Sequence, residues 1–299
     1  MKFIGNFIAP LTCWIAVLAA VSTSICAAPA GPWTTVQSGP HAAYSNAGAG
    51  PARAALEQIL LVQKIMAADL RVALPENTPP IRVYVLRHKQ DFREFREDAS
   101  SLGFFQSGAD FDAIVVSNAS AEMPRVARHE AAHRFLHRTY GPLPAWLDEG
   151  LAEMYSTAAA HGRQAWIGLP IPQHVSEIRR GQWLKSDRFL AISRDPAPEE
   201  TLATLTTYYA QGWAIAHLLR CKVPYAARFA ESLEHLSRNE PLDTTLQRLY
   251  RQSVQQVFAE ARREVEDDNK MGVTIAFDGG PPFTAQTSAL NEEDAHAAV

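Results

Sequence analysis

Apolar residues recur every three or four positions over several long stretches of the chain, and this spacing predicts amphipathic helices. The clearest stretches are residues 51–74, Met123–Tyr140, residues 145–160 and much of residues 201–267. Pro51 stands where a proline is favoured in the first turn of a helix. The Gly141-Pro-Leu-Pro144 segment ends one helix and begins the next. The C-terminal half of the chain is therefore predicted to be mainly helical.

Two short stretches instead have the pattern of β-strands. Ile81–Leu86 begins with alternating apolar and polar residues and is rich in β-branched side chains, and Phe111–Val116 is a second such run. Between them, Lys89–Asp98 is predicted to be a short charged helix. Together these patterns predict an α+β fold, in which a small α+β part is followed by a mainly helical C-terminal part.

The boundaries between these elements indicate the domain organisation. Residues 31–50 are rich in Gly, Ala, Ser and Pro and are predicted to be an extended lead-in. Residues 51–160 are expected to form the α+β domain, and residues 161–268 the helical C-terminal part. Within the latter, residues 161–200 are ambiguous, with a Gly-Leu-Pro-Ile-Pro run that favours loop. The polar residues 269–299 are predicted to be a disordered tail.

The N-terminus has the features of a secretory signal peptide. Lys2 provides a positive charge, Leu11–Val21 is an almost unbroken apolar run, and Ala-Pro-Ala at residues 28–30 offers a cleavage site. The apolar run is shorter than the ~20 residues that a membrane-spanning helix needs. We therefore expect residues 1–30 to be removed and the protein to be exported, to the periplasm or outside the cell, with no membrane span left. An uncleaved anchor is the alternative, since residues 3–30 carry no charge.

Charge and cysteine content restrict the possible partners and cross-links. Of 299 residues, 47% are hydrophobic and 20% are charged, which is an ordinary globular composition, and the net charge of −4 includes no Lys/Arg block. This balance argues against nucleic acid or an anionic membrane surface as a partner. Cys13 and Cys26 lie in the leader, so the mature chain keeps only Cys221 and cannot form an intramolecular disulfide. The exported fold must then rely on its core or on a metal.

The most informative motif is His129-Glu130-Ala-Ala-His133, inside the predicted helix Met123–Tyr140. Residues four apart on an α-helix lie about 40° apart in azimuth and ~6 Å apart along the axis. Both imidazoles can therefore reach one ion at ~2.0–2.1 Å, the usual zinc–nitrogen distance. Glu130 projects about 100° away, where it can take a proton from a water beside the metal. The same pattern also occurs on solvated helical faces, so a metal site needs a further ligand.

A third ligand is predicted on the following helix, in Trp146-Leu-Asp-Glu149-Gly-Leu-Ala-Glu153. Helices joined by a tight turn pack antiparallel or obliquely, which lets Glu149 approach His133. Glu153 lies one turn beyond Glu149 on the same face. It can accept a hydrogen bond from the free N–H of a ligating histidine and so fix its tautomer.

Two other residues are alternative third ligands. His137 continues the face of the first helix, but its Cα is expected to be about 12 Å from that of His129. A straight helix cannot focus three side chains that far apart on one ion. Asp148 is the neighbour of Glu149 and is expected to point elsewhere. The geometry therefore favours Glu149.

The two motifs together resemble the gluzincin metallopeptidases of the peptidase MA clan, and especially small MA-like bacterial proteins with a W-L-x-E-G-x-A-E segment. The resemblance is tight over residues 126–156. It implies a zincin-like fold, Zn²⁺ held by His129, His133 and Glu149, and Glu130 as general base and acid. It also implies that the active-site helix packs under a mixed sheet whose edge strand aligns an extended substrate. Phe111–Val116 is predicted to be that strand.

A further resemblance concerns Tyr208-Tyr209-Ala-Gln-Gly-Trp213. Smaller MA-like proteins carry a similar stretch packed near the metal, which implies that Tyr209, in preference to Tyr208, lies close to it. A tyrosine hydroxyl in that position can stabilise the oxyanion of a tetrahedral intermediate. Core packing is the alternative role for aromatic residues at helical spacing.

These residues predict a zinc-dependent hydrolase that acts on a peptide or protein substrate. One alternative is a catalytically silent envelope protein, in which the metal holds two helices together and the fold binds a partner. Glu130 argues against it, because a purely structural site needs no general base. The other alternative is a hydrolase that uses the same chemistry on bonds other than peptide bonds.

Overall fold

The computed structural model describes residues 33–94, 102–193, 200–267 and 272–290. The predicted signal peptide, residues 1–30, lies outside these ranges. The strands are β1 (Trp33–Ser38), β2 (His41–Ser45), β3 (Ile81–Leu86), β4 (Gly103–Gln106), β5 (Asp112–Ser117), β6 (Ala159–His161), β7 (Gln164–Ile167), β8 (Val273–Ala276) and β9 (Gln286–Leu290). The helices are α1 (Ala49–Leu70), α2 (Met123–Tyr140), α3 (Ala145–Ser156), α4 (Pro172–Arg179), α5 (Ser186–Ala191), α6 (Leu202–Cys221), α7 (Phe229–Ser237), α8 (Leu242–Tyr250) and α9 (Val254–Glu266). The predicted α+β class, with its helical C-terminal part, is confirmed.

The longer elements agree closely with their prediction. Helix α2 and strand β3 have the predicted bounds, while α1 begins slightly before residue 51 and ends at Leu70 rather than at residue 74. The predicted short charged helix is a 3₁₀ helix over Lys89–Glu94, and its remaining residues, 95–98, lie outside the described ranges. Strong periodicity therefore located these elements to within a few residues.

Six strands of the described chain form a mixed sheet in the order β4-β5-β3-β2-β1-β9. The central strands β2, β3 and β5 are parallel, whereas β4, β1 and β9 are antiparallel to their neighbours. Alternate residues of β3 point to opposite faces: Val83 and Val85 join the main core with α1 and α2, and Tyr84 joins a smaller aromatic cluster. Helix α2 is thus held against one face of the sheet.

The prediction of the edge strand was wrong. The run predicted as Phe111–Val116 is β5, which lies inside the sheet between β3 and β4. Within the described residues, the outermost strand on this side of the sheet is β4, whose four residues pair with β5 from Gly103 opposite Val116 to Gln106 opposite Ala113. A strand this short, containing glycine, carries too little periodicity to be recognised, and its position depends on the distant residues that it pairs with.

The structure also differs from the prediction at both ends of the described chain. Residues 33–45, within the predicted extended lead-in, form the β1-β2 hairpin of the main sheet. The predicted disordered tail contains β8, which pairs with β7, and β9, which pairs with β1. Strand β9 is mostly polar and largely exposed, whereas in β8 the apolar Val273 and Ile275 are partly buried and alternate with exposed residues. Each strand is only four or five residues long and becomes a strand by pairing with residues far away in the sequence.

The C-terminal part is built around helix α6, which packs against α3, α4 and α9. The ambiguous region after residue 160 contains two short strands, β6 and β7, followed by α4 and α5. Strands β6, β7 and β8 form a small separate sheet. Within the described residues, none of the helices is both long and apolar enough to span a membrane.

A buried histidine in α6 is expected to make the stability of the fold depend on pH. His217 Nε2 accepts a hydrogen bond from the backbone N–H of Gly272 at 3.1 Å, and burial, helped by the charge of Lys222 and opposed by that of Glu264, lowers its pKa to about 4. Between that pKa and the ordinary 6.5, the unfolded chain binds a proton that the folded chain does not. The contribution of neutral His217 to the free energy of unfolding is therefore fully present above pH 6.5 and is lost as the pH falls towards 4.

The comparison of wild type with His217→Gln tests this, because glutamine can still accept the bond but cannot be protonated. From pH 7 to pH 4, wild type is expected to lose about 2–3 kcal/mol more of its free energy of unfolding than the variant, at ~1.4 kcal/mol per unit of pKa. Urea unfolding of metal-free protein at each pH measures it. An equal loss of unfolding free energy in the two proteins would show that His217 is not the source of the pH dependence.

Candidate metal centre

Three side chains from α2 and α3 converge on one point. Nε2 of His129 is 3.0 Å from Nε2 of His133, and Oε2 of Glu149 lies 3.4 Å from the first nitrogen and 3.5 Å from the second. Ligand atoms around a tetrahedral zinc at ~2.05 Å are ~3.3 Å from one another. The three atoms therefore have the spacing of three corners of a coordination tetrahedron. This group can hold a metal ion.

The convergence follows from how the two helices are joined. His129 and His133 are one turn apart on α2 and so present their rings on the same face. The turn Gly141–Pro144 then reverses the chain, and α3 packs back along α2. Glu149, in the second turn of α3, is carried to the level of the two rings. Burial by itself would raise the pKa of the Glu149 carboxyl, but His133 and His129 hold it well below its usual range.

Glu130 is buried beside this point, under the edge of the sheet. Burial raises the pKa of its carboxyl, although the neighbouring His129 and His133 act in the opposite direction. A Cβ added to Gly103, the first residue of β4, would lie 3.1 Å from Glu130 Oε1 and 2.5 Å from Val126 Cγ1. Glycine at this position lets the edge strand approach Glu130 more closely than any other residue would allow. The Glu130 carboxylate and strand β4 are thus neighbours.

Asp148 has a role that the sequence analysis missed. It was expected to point away from the site, yet its Oδ2 is 3.1 Å from Nδ1 of His133 and 3.3 Å from Nε2 of His137. Its side chain is almost completely buried. A carboxylate on Nδ1 fixes the tautomer that leaves Nε2 free for a metal. Sequence spacing could not reveal this role, because the position of α3 relative to α2 decides which of the neighbouring residues 148 and 149 points at which histidine.

Glu153 lies beside the other histidine and is itself contacted by two further residues. Glu153 Oε1 is 3.6 Å from Nδ1 of His129, so the carboxylate lies beside the ring as predicted, but the distance is longer than that of a hydrogen bond. Its Oε2 accepts a hydrogen bond from Arg125 Nη1 at 2.9 Å and lies 3.3 Å from Nε2 of His174. Sequence reasoning assigned no role to Arg125 or His174, because they lie on other turns and helices with no ligand spacing. Each imidazole of the pair therefore faces a carboxylate from α3.

Helix α6 crosses α3 immediately beside Glu149. A Cβ on Gly150 would be 2.3 Å from the carbonyl oxygen of Gly212, so the two helices touch backbone to backbone. Tyr209 lies one turn before this contact on α6, half-buried, with its ring 5.7 Å from that of Tyr208. The predicted participation of Tyr209 in catalysis stays a prediction. Residue 150, next to Glu149, must therefore be a glycine for α3 and α6 to cross this closely.

Replacing Gly150 by alanine is expected to force α3 and α6 apart and to displace Glu149. Overpacking of this kind costs about 1–3 kcal/mol, and the free energy of unfolding of metal-free protein should fall by that amount. Gly50→Ala is the matched control, because a Cβ there meets no atom within 4 Å and alanine favours the helix. An unfolding midpoint for Gly150→Ala equal to that of wild type would contradict the close crossing.

Part of the chain is similar to a known protein family. Residues 125–243 match the family model described as "Protein of unknown function (DUF1570)". This match covers less than half of the 299 residues, and it includes His129, Glu130, His133, Glu149 and Tyr209. No curated protein matches the chain. The candidate metal centre therefore lies within the region similar to this family, whose description states no activity.

Proposed function

We propose that this protein is an exported zinc-dependent peptidase of the gluzincin type. The observation that carries the proposal is the convergence of His129 Nε2, His133 Nε2 and Glu149 Oε2 at 3.0–3.5 Å from one another. Two histidines and one carboxylate are a ligand set of catalytic zinc sites, which keep one coordination position open. A structural site usually has four protein ligands. The donor set thus fits zinc and favours catalysis over a purely structural role.

The residues around these ligands fit the hydrolysis of an amide bond. A zinc ion bound there would act as a Lewis acid, polarising a carbonyl group and lowering the pKa of a water molecule. Glu130, buried one residue after His129, is the base that takes the proton of the attacking water and passes it to the leaving amine. Asp148 orients His133 through a contact of 3.1 Å, and Glu153 faces the outer nitrogen of His129 at 3.6 Å.

The edge strand supports a peptide rather than another amide or ester as the substrate. Strand β4 has β5 on one side and, within the described part of the chain, no strand on the other. An extended peptide can pair with such an edge through main-chain hydrogen bonds. Gly103 of β4 lies directly against Glu130, so a peptide paired with this edge passes beside the general base. This replaces the role first predicted for Phe111–Val116.

The test is hydrolysis of a substrate panel by the zinc-loaded protein. The expected result is cleavage of peptides, stopped by a chelator and restored by added zinc. Cleavage of esters or simple amides alone would indicate a non-peptide hydrolase. Zinc binding without any turnover would favour the catalytically silent, metal-stabilised protein. Failure to bind zinc would refute the proposal itself.

A further inference from the structure

A second site lies away from the metal centre, in a cavity of about 650 Å³ between α1 and the segment that precedes β9. None of the candidate metal ligands lines it. Its walls are mainly apolar, formed by Leu60, Leu61, Leu74, Phe135 and Phe283. A cavity of this size can hold a small organic molecule. The polar groups that line it decide which kind.

The first of these groups is the side-chain amide of Gln63, which is 7% exposed. Its Oε1 accepts a hydrogen bond from Arg134 Nη1 at 3.0 Å, and Arg134 is itself held by Asp112 and by the carbonyl of Pro79. The amide therefore cannot rotate by 180° without turning its N–H groups towards a guanidinium. Its Nε2 is buried and has no hydrogen-bond partner among the described residues. A buried donor without an acceptor is costly, so a bound molecule that supplies one is favoured.

Two further donors line the same cavity. His41 Nδ1 accepts a hydrogen bond from the backbone N–H of Ile81 at 3.1 Å, so the ring is neutral and its proton is on Nε2. Lys64 Nζ lies 3.4 Å from the carbonyl oxygen of Gly279 and 3.3 Å from that of Pro281. These two contacts leave one N–H and the positive charge of the ammonium group available. The cavity is also lined by an acidic group, the exposed carboxylate of Glu57, which would favour a cationic ligand instead.

We propose that this cavity binds a small carboxylate with an apolar body, such as a short fatty acid. The apolar walls would take the hydrocarbon part. The carboxylate would accept hydrogen bonds from the Gln63 amide and the Lys64 ammonium group, with small rearrangement of the buried amide. Hydrogen bonds to an ionised acceptor are stronger than those to a neutral one, which favours a carboxylate over an alcohol or an amide.

Isothermal titration of octanoate and octylamine into the full-length chain tests this proposal. Octanoate is expected to bind one molecule per chain, equally well to zinc-loaded and chelator-treated protein, and octylamine at least about tenfold more weakly. Octanoate binding that disappears with the zinc would belong to the metal centre and would overturn the proposal. So would stronger binding of octylamine, which would assign the cavity to Glu57, or the absence of octanoate binding.

Two variants locate the site. Gln63→Glu keeps the acceptor for Arg134 but replaces the donor by a negative group, and it should weaken octanoate binding at least about tenfold. Lys64→Gln, at an exposed position that cannot disturb the core, should weaken it about threefold. Lys185→Gln, an exposed lysine outside the cavity, is the control and should change nothing. If Gln63→Glu does not fold, Lys64→Gln decides. Wild-type affinity in Lys64→Gln and in folded Gln63→Glu would overturn the proposal.

Discussion

Alanine in place of Glu149 is expected to leave the protein without its metal. Glu149 supplies one of three converging ligand atoms and the only negative charge among them. Two neutral imidazoles alone bind a divalent cation far more weakly than a charged, three-ligand site. Elemental analysis after dialysis should give about one zinc per chain for wild type and almost none for the variant.

The control for this experiment is Glu234→Ala. Glu234 lies on α7, and its largely exposed side chain is 3.9 Å from the guanidinium of Arg238. This variant should keep the full zinc content and the stability of wild type. Because a bound metal stabilises the folded state by mass action, Glu149→Ala should also lose the rise in melting temperature that zinc produces in wild type. Equal zinc content in Glu149→Ala and wild type would refute the ligand assignment.

Glutamine in place of Glu130 is expected to keep the metal and to lose the activity. The change preserves the size of a side chain that fits under Gly103, but an amide cannot accept the proton of the attacking water. General acid–base groups contribute ~10²–10⁴ in rate, so kcat for a peptide substrate should fall by at least that factor. Zinc content should stay at the wild-type level, because Glu130 contributes no ligand atom to the group of three.

Glu234→Gln makes the same carboxylate-to-amide change at the surface and should leave kcat unchanged. Peptide turnover by Glu130→Gln at the wild-type rate would remove Glu130 from its role, even if the zinc site were confirmed. Glu149→Ala and Glu130→Gln therefore separate two claims. Position 149 tests whether a metal is bound, and position 130 tests whether the bound metal is used for hydrolysis.

The local parts of the fold and of the site could be predicted from the sequence. Helix α2 was located to the residue, because eighteen residues with helical spacing lie between clear terminators. The prediction that His129 and His133 lie on the same face of α2 required only the geometry of one helical turn. Glu149 was identified on a second helix because a short turn leaves few ways to pack it.

The parts that were wrong or missed depend on contacts between distant residues. Strand β4 was overlooked and β9 was assigned to a disordered tail, since each is short and becomes a strand by pairing with β5 or β1. The role of Asp148 required the side-chain direction on α3 relative to His133 and His137. A one-residue difference in helix position rotates a side chain by about 100°, which sequence spacing across a turn does not define.

The sequence by itself therefore determined the class of the fold, the two metal-site helices and the three candidate ligands, because each of these depends on periodicity within a single element or across one short turn. Only the tertiary structure decided which strand borders Glu130, which carboxylates orient the imidazoles, and that Gly150 permits the crossing of α3 and α6. The physical reason is the same in each case. Pairing and close packing are properties of two surfaces that meet, and neither surface alone specifies its partner.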